Sequence, residues 1–135
     1  MSTSYAPFEK PRRFAPRYYV YSARFVPLGI LAQFFLAGLS LFQNPIMWGA
    51  HATAGFLLLL PVAIVSLTPL ALATIRPLRW WSGILGALYI MQIAWIVAGQ
   101  STGSGLLKAM HVLNGGLLLA TALVIVAKLE KSRAG

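Results

Sequence analysis

Two histidines, His51 and His111, stand inside the apolar stretches of this 135-residue chain and are the only imidazoles it contains. Each opens the same short pattern: His51-Ala-Thr-Ala-Gly55-Phe-Leu-Leu-Leu and, sixty positions later, His111-Val-Leu-Asn-Gly115-Gly-Leu-Leu-Leu. Two glutamines, Gln33 and Gln92, stand fifty-nine positions apart, each ahead of its histidine. Histidine within a membrane segment is costly and usually faces the interior of the bundle. The plain reading is an interhelical hydrogen bond. A symmetric pair at one depth points instead to ligation, because two imidazoles complete an octahedral iron whose other four nitrogens come from a porphyrin. We therefore expect His51 and His111 to hold one haem b. A single histidine also suits the magnesium of a chlorin, so a pigment, or no cofactor, remains the alternative.

The surrounding residues are read in the same way. Gly55 and Gly115 fall four residues after each histidine, on the same helix face, where a missing side chain leaves a flat space for a macrocycle. Gln33 and Gln92 lie about mid-helix and are assigned to cofactor contact or to a Gln–Gln hydrogen bond across the bundle. Lys108, three residues before His111, shares its face and is a candidate partner for a propionate; snorkelling to headgroups is its plainer role.

Composition excludes much else. Glu9 and Glu130 are the only acids against 11 Lys and Arg, giving a net charge of +9, and cysteine is absent. Paired-carboxylate hydrolysis, thiolate catalysis and Cys-type zinc or iron–sulfur sites are thereby ruled out. No catalytic residue is assigned, and electron transfer or an accessory role suits the chain better than an enzyme. Ion-coupled transport is disfavoured because no span contains a carboxylate.

Hydrophobic residues make up 59 % of the chain and charged residues 10 %, far from the balance of a soluble domain. Four apolar stretches, 25–42, 46–73, 78–98 and 106–127, each suffice to cross about 30 Å of hydrocarbon. Gln43-Asn44-Pro45, Arg76-Pro77 and the run 99–105 separate them. Such short connections predict an all-α, up-down-up-down transmembrane bundle. Its two halves read as tandem two-helix repeats related by an axis along the membrane normal. Pro61 is expected to bend the second helix and Pro69 to bend or end it.

Residues 1–24 read as a basic interfacial arm and 128–135 as a cytoplasmic tail. Basic residues cluster before the first span, around the middle loop and after the last span, leaving only Lys108 on the other side. The positive-inside rule then places both termini in the cytoplasm of a bacterial inner membrane. The first span is too long for a signal-peptide core. The arm, with Tyr5, Tyr18, Tyr19 and Tyr21 among its basic residues, is read as lying on lipid headgroups rather than binding nucleic acid. Expected partners are the bilayer and either a larger membrane complex or a second copy of the chain. Trp48, Trp80, Trp81 and Trp95 read mostly as an aromatic belt.

The motifs Gln33-Phe-Phe-Leu-Ala-Gly-Leu39 and His51-x-x-x-Gly55, with Gln92 and Met110-His111-x-x-Asn114-Gly115, resemble a family of short bacterial membrane proteins with a domain of unknown function. The likeness spans residues 25–127 and implies four helices without an assigned activity. More distantly, the outline is similar to four-helix b-type cytochromes and to one half of haem A synthase. Those families carry more histidines, whereas one pair is present here. The resemblance leaves three functions open: a one-haem membrane cytochrome, an accessory or assembly subunit, and a chlorin- or quinone-binding protein.

Overall fold

The computed structural model describes residues 15–134 and is helical almost throughout. Helix α1 spans Arg17–Phe42, α2 Met47–Leu57, α3 Leu59–Ala71, α4 Arg79–Ser101 and α5 Gly105–Ala134, with a short 3-10 segment at Ala73–Leu78 before α4. Counting α2 with α3, and the 3-10 segment with α4, four helical stretches are long and apolar enough to cross a membrane. No strand occurs among the described residues.

The helix boundaries follow local chemistry. Pro61 has no N–H for the Leu57 carbonyl, and its ring crowds that turn; the second span breaks there, at Leu58, into α2 and α3. Pro69 sits two residues before the end of α3 at Ala71. After α1, the side chain of Asn44 accepts the backbone N–H of Ile46 at 3.0 Å, closing a tight turn ahead of α2. At the end of α4 the hydroxyls of Ser101 and Thr102 both donate to the Ala98 carbonyl. Gly103 then takes a positive φ of 70°, a conformation that glycine adopts without a Cβ penalty. Ser104 caps α5 by accepting the Leu107 N–H at 3.4 Å.

Two helices run further than the apolar stretches alone predict. α1 begins at Arg17, just after Pro16, rather than at Phe25, and Tyr19, Val20 and Ala23 on its first turns are buried. Residues 17–24 are thus part of the packed bundle rather than of the interfacial arm. Residues 1–14, which hold the rest of that arm, lie outside the described residues. α5 likewise continues through the basic residues Lys128, Lys131 and Arg133.

α1 packs against α2, α3 and α5, and α4 packs against α3 and α5. The second and fourth spans therefore lie diagonally across the bundle, as do the first and third. The apolar core is concentrated at one end. Val26 and Ile30 of α1, Val62 and Val65 of α3, Leu85 of α4, and Ile125 and Leu129 of α5 are all buried there. α2 contributes no buried residue at all. The outer surface stays apolar, with Phe25, Leu28, Phe35, Leu57, Leu60, Leu117 and Leu123 exposed, a surface suited to lipid tails, which are themselves as apolar as leucine.

One ion pair ties α1 to α5 at the core end, where both Nε and Nη2 of Arg24 donate to Glu130 Oε1 at 3.0 and 2.7 Å. Both side chains are about half exposed, at 50 % and 43 %, so screening keeps such a pair weak. Glu130→Gln is expected to lower stability by less than about 1 kcal/mol, which a thermal unfolding scan in detergent at two salt concentrations would measure. A larger loss would show that lipid or burial shields the pair.

Candidate functional site: a paired-imidazole centre

The diagonal arrangement brings His51 of α2 and His111 of α5 together. Their ring centres are 6.3 Å apart and the planes meet at 67°. Both rings are anchored in the same manner: His51 Nδ1 donates to the Gln33 carbonyl at 3.1 Å and His111 Nδ1 to the Gln92 carbonyl at 2.8 Å. An imidazole whose Nδ1 carries the proton presents the lone pair of Nε2. A backbone carbonyl on the far nitrogen is also the usual outer partner of a metal-ligating histidine. Trp48, one turn before His51, stands edge-on to it at 5.5 Å between centres.

The two halves then diverge. Gln92 donates its amide N–H to His111 Nε2 across 3.3 Å. Asn114 Nδ2 holds Gln92 in that pose, donating to Gln92 Oε1 at 2.6 Å and to the Leu88 carbonyl at 2.8 Å. In the other half no such chain forms: Gln33 Nε2 is buried without a partner among the described residues. The sequence explains this, because Ala54 stands three residues after His51 where Asn114 stands after His111. Asn114 belongs to the motif quoted above, but its spacing alone assigned it no role; a polar residue one turn after a membrane histidine is the signal that marks it.

The glycines serve the amides. A Cβ on Gly55 would stand 3.4 Å from Gln33 Oε1, and one on Gly115 would stand 3.2 Å from Phe34 Cζ and 3.3 Å from Gln92 Nε2. The flat spaces expected beside the histidines are thus filled by Gln33, Gln92 and Phe34. Tyr89 donates its hydroxyl to the Gly55 carbonyl at 2.8 Å, tying α4 to α2 one turn from His51. Lys108 remains exposed, with its side chain laid along Gly99, where a Cβ would meet Lys108 Cγ at 2.9 Å. It has no carboxylate partner among the described residues.

The donor set limits what the centre could hold. Among the described residues no three or more His, Cys, Asp or Glu side chains cluster, so the protein alone does not build a tetrahedral zinc site. Two imidazole nitrogens about 2 Å from a shared metal place their ring centres about 6 Å apart, close to the 6.3 Å observed. The spacing is thus of the size that two imidazoles on one metal would have, and any such metal would have to bring its remaining ligands with it. Gln33, Gln92 and the part-exposed Phe34 occupy the room that a macrocycle needs, and their side chains must swing aside to admit one. A groove of about 400 Å³ lies elsewhere, beyond the far end of the second span, lined by Ala73, Arg76, Pro77, Arg79 and Trp80.

No curated protein and no solved structure matches the chain, so its distant likeness to b-type cytochromes and haem A synthase finds no support there. Residues 33–99 match a family of unknown function, DUF6220, over a stretch that holds Gln33, His51, Gly55 and Gln92 and stops short of His111.

Proposed function

We propose that this is a small integral membrane protein that binds one b-type haem through His51 and His111 and serves electron transfer. The observation that carries the reading is the pair of carbonyl-anchored imidazoles facing each other at 6.3 Å from diagonal spans. When bound, the haem iron supplies reversible one-electron exchange. The chain's own residues hold the two rings in one tautomer and set how firmly each Nε2 is presented.

In the same reading the chain is an up-down-up-down bundle of two tandem hairpins. Contacts of Gln33 with His51 and of Gly29 with Leu58 support antiparallel α1 and the second span. Contacts of Gln92 with His111 and of Gly99 with Lys108 support the same for α4 and α5. Both termini lie in the cytoplasm of a bacterial inner membrane, which puts the histidine end toward the outer leaflet.

A second reading, an accessory subunit of a larger membrane complex, is favoured by one specific observation. The chain from Asn114 through Gln92 to His111 is already satisfied, as purely structural polar contacts between membrane helices are.

The absorption spectrum of the purified protein separates the two. A Soret band with sharp reduced α and β bands, lost in the His51→Ala/His111→Ala double variant, is the expected result. A colourless but folded protein would favour the accessory reading, and red or near-infrared bands would replace haem with a chlorin.

A further inference from the structure

We propose that the two histidines are chemically unequal: His51 presents a free Nε2 to whatever the centre binds, whereas the Nε2 of His111 is latched by Gln92 and Asn114 and engages only when that latch opens. The inference deepens the haem reading and rests on it for the identity of the ligand, but the inequality belongs to the polypeptide itself.

Both histidines spend Nδ1 on a backbone carbonyl, so each has only the Nε2 lone pair to offer. At His111 that lone pair already accepts the Gln92 amide, and Gln92 cannot turn away freely because Asn114 holds its other end. Asn114 is itself buried and has a second bond to the Leu88 carbonyl. Releasing His111 therefore means giving up a connected set of part-buried bonds, which costs more than a single exposed one.

At His51 nothing has to be released. Its Nε2 has no hydrogen-bond partner among the described residues, and the neighbouring Gln33 Nε2 is buried with its N–H unspent. An unsatisfied buried donor is destabilising until something fills it. The Gln33–His51 half thus presents an open lone pair beside an open donor. This suits a metal bound at Nε2 together with an oxygen atom able to accept from Gln33. The difference between the halves traces to one pair of positions, Ala54 against Asn114, each three residues after its histidine.

Diethyl pyrocarbonate, which acylates an imidazole through a free ring nitrogen, tests the inequality without any cofactor. Both histidines are part-buried, so gross exposure does not separate them. Applied to the full chain in detergent and read by peptide mass spectrometry, the reagent should modify His51 about fivefold faster than His111, the factor one net hydrogen bond is worth. Asn114→Ala should raise the His111 rate towards that of His51. Ala54→Asn, which supplies the missing amide, should slow His51 while leaving His111 unchanged. Equal rates in the parent chain, or rates that neither substitution moves, would overturn the proposal.

Haemin titration supplies the ligand arm. His111→Ala should retain haem in a five-coordinate, high-spin form, whereas His51→Ala should lose it. Equal loss in both variants overturns the inequality. A parent chain that takes up no haemin yet shows unequal modification overturns the haem reading and leaves the inequality standing.

Discussion

Gly115→Leu is expected to destabilise the protein by about 1–3 kcal/mol and to strip Gln92 from His111, while Gly116→Leu changes stability by less than about 0.5 kcal/mol. The two glycines are adjacent on α5, yet their surroundings are opposite. A Cβ on Gly115 already stands 3.2 Å from the Phe34 ring and 3.3 Å from the Gln92 amide, whereas nothing lies within 4 Å of one on Gly116. A leucine at the first position must enter the gap between α1 and α4, and Gln92 is the side chain with least room to yield because Asn114 holds it. Gly116 is exposed, and a leucine there faces lipid. Thermal unfolding in detergent gives the stability difference, and acylation of His111 reports whether Gln92 has left it. Equal behaviour of the two variants would mean that helix packing near His111 is slack and that the amide contact is not maintained.

The facing histidines were legible before any fold was known. Spacings of sixty for His51 and His111 and fifty-nine for Gln33 and Gln92 put equivalent residues on equivalent helices. Diagonal packing of the second and fourth spans then turns both imidazoles inward. A bend at Pro61 was also legible, since a proline acts on the turn before it whatever surrounds the helix, though not that the bend is a full break at Leu58. What glycine does beside each histidine was not. An absent side chain says that something approaches closely, but Gln33, Phe34 and Gln92 as occupants depend on rotamers set by other helices.

The location of the core was hidden for a different reason. In a chain whose lipid face is as apolar as its interior, amphipathic periodicity loses its contrast. Leu57 is 72 % exposed and Leu58 5 %, and nothing in the residue type distinguishes them. The early start of α1 at Arg17 was masked in the same way, because the basic residues that mark the membrane boundary also populate its first turns. The Arg24–Glu130 pair joins residues 106 positions apart and has no local signature.

Leu85→Ala is expected to cost about 2–5 kcal/mol at the core end. Leu85 is fully buried at 0 % exposure, whereas the adjacent Ile84 is 46 % exposed and its truncation should cost less than about 1 kcal/mol. Hydrophobic transfer does not explain the difference, since both side chains are equally content in the hydrocarbon of a micelle or bilayer. What Leu85 loses is contact: a void among packed helices leaves its neighbours without partner atoms, whereas lipid chains fill the space left by Ile84. Comparing the two alanine variants by reversible unfolding in micelles therefore isolates packing from burial, and comparable losses would show that the helices are held by other means. The same comparison bears on the histidine end. α2 has no buried residue, so the bonds of His51 to the Gln33 carbonyl and of Tyr89 to the Gly55 carbonyl must hold α2 where close packing does not. A region held by a few exchangeable hydrogen bonds opens at lower free energy than a packed core, and there Gln33, whose amide N–H is unspent, yields more readily than Gln92, which Asn114 holds.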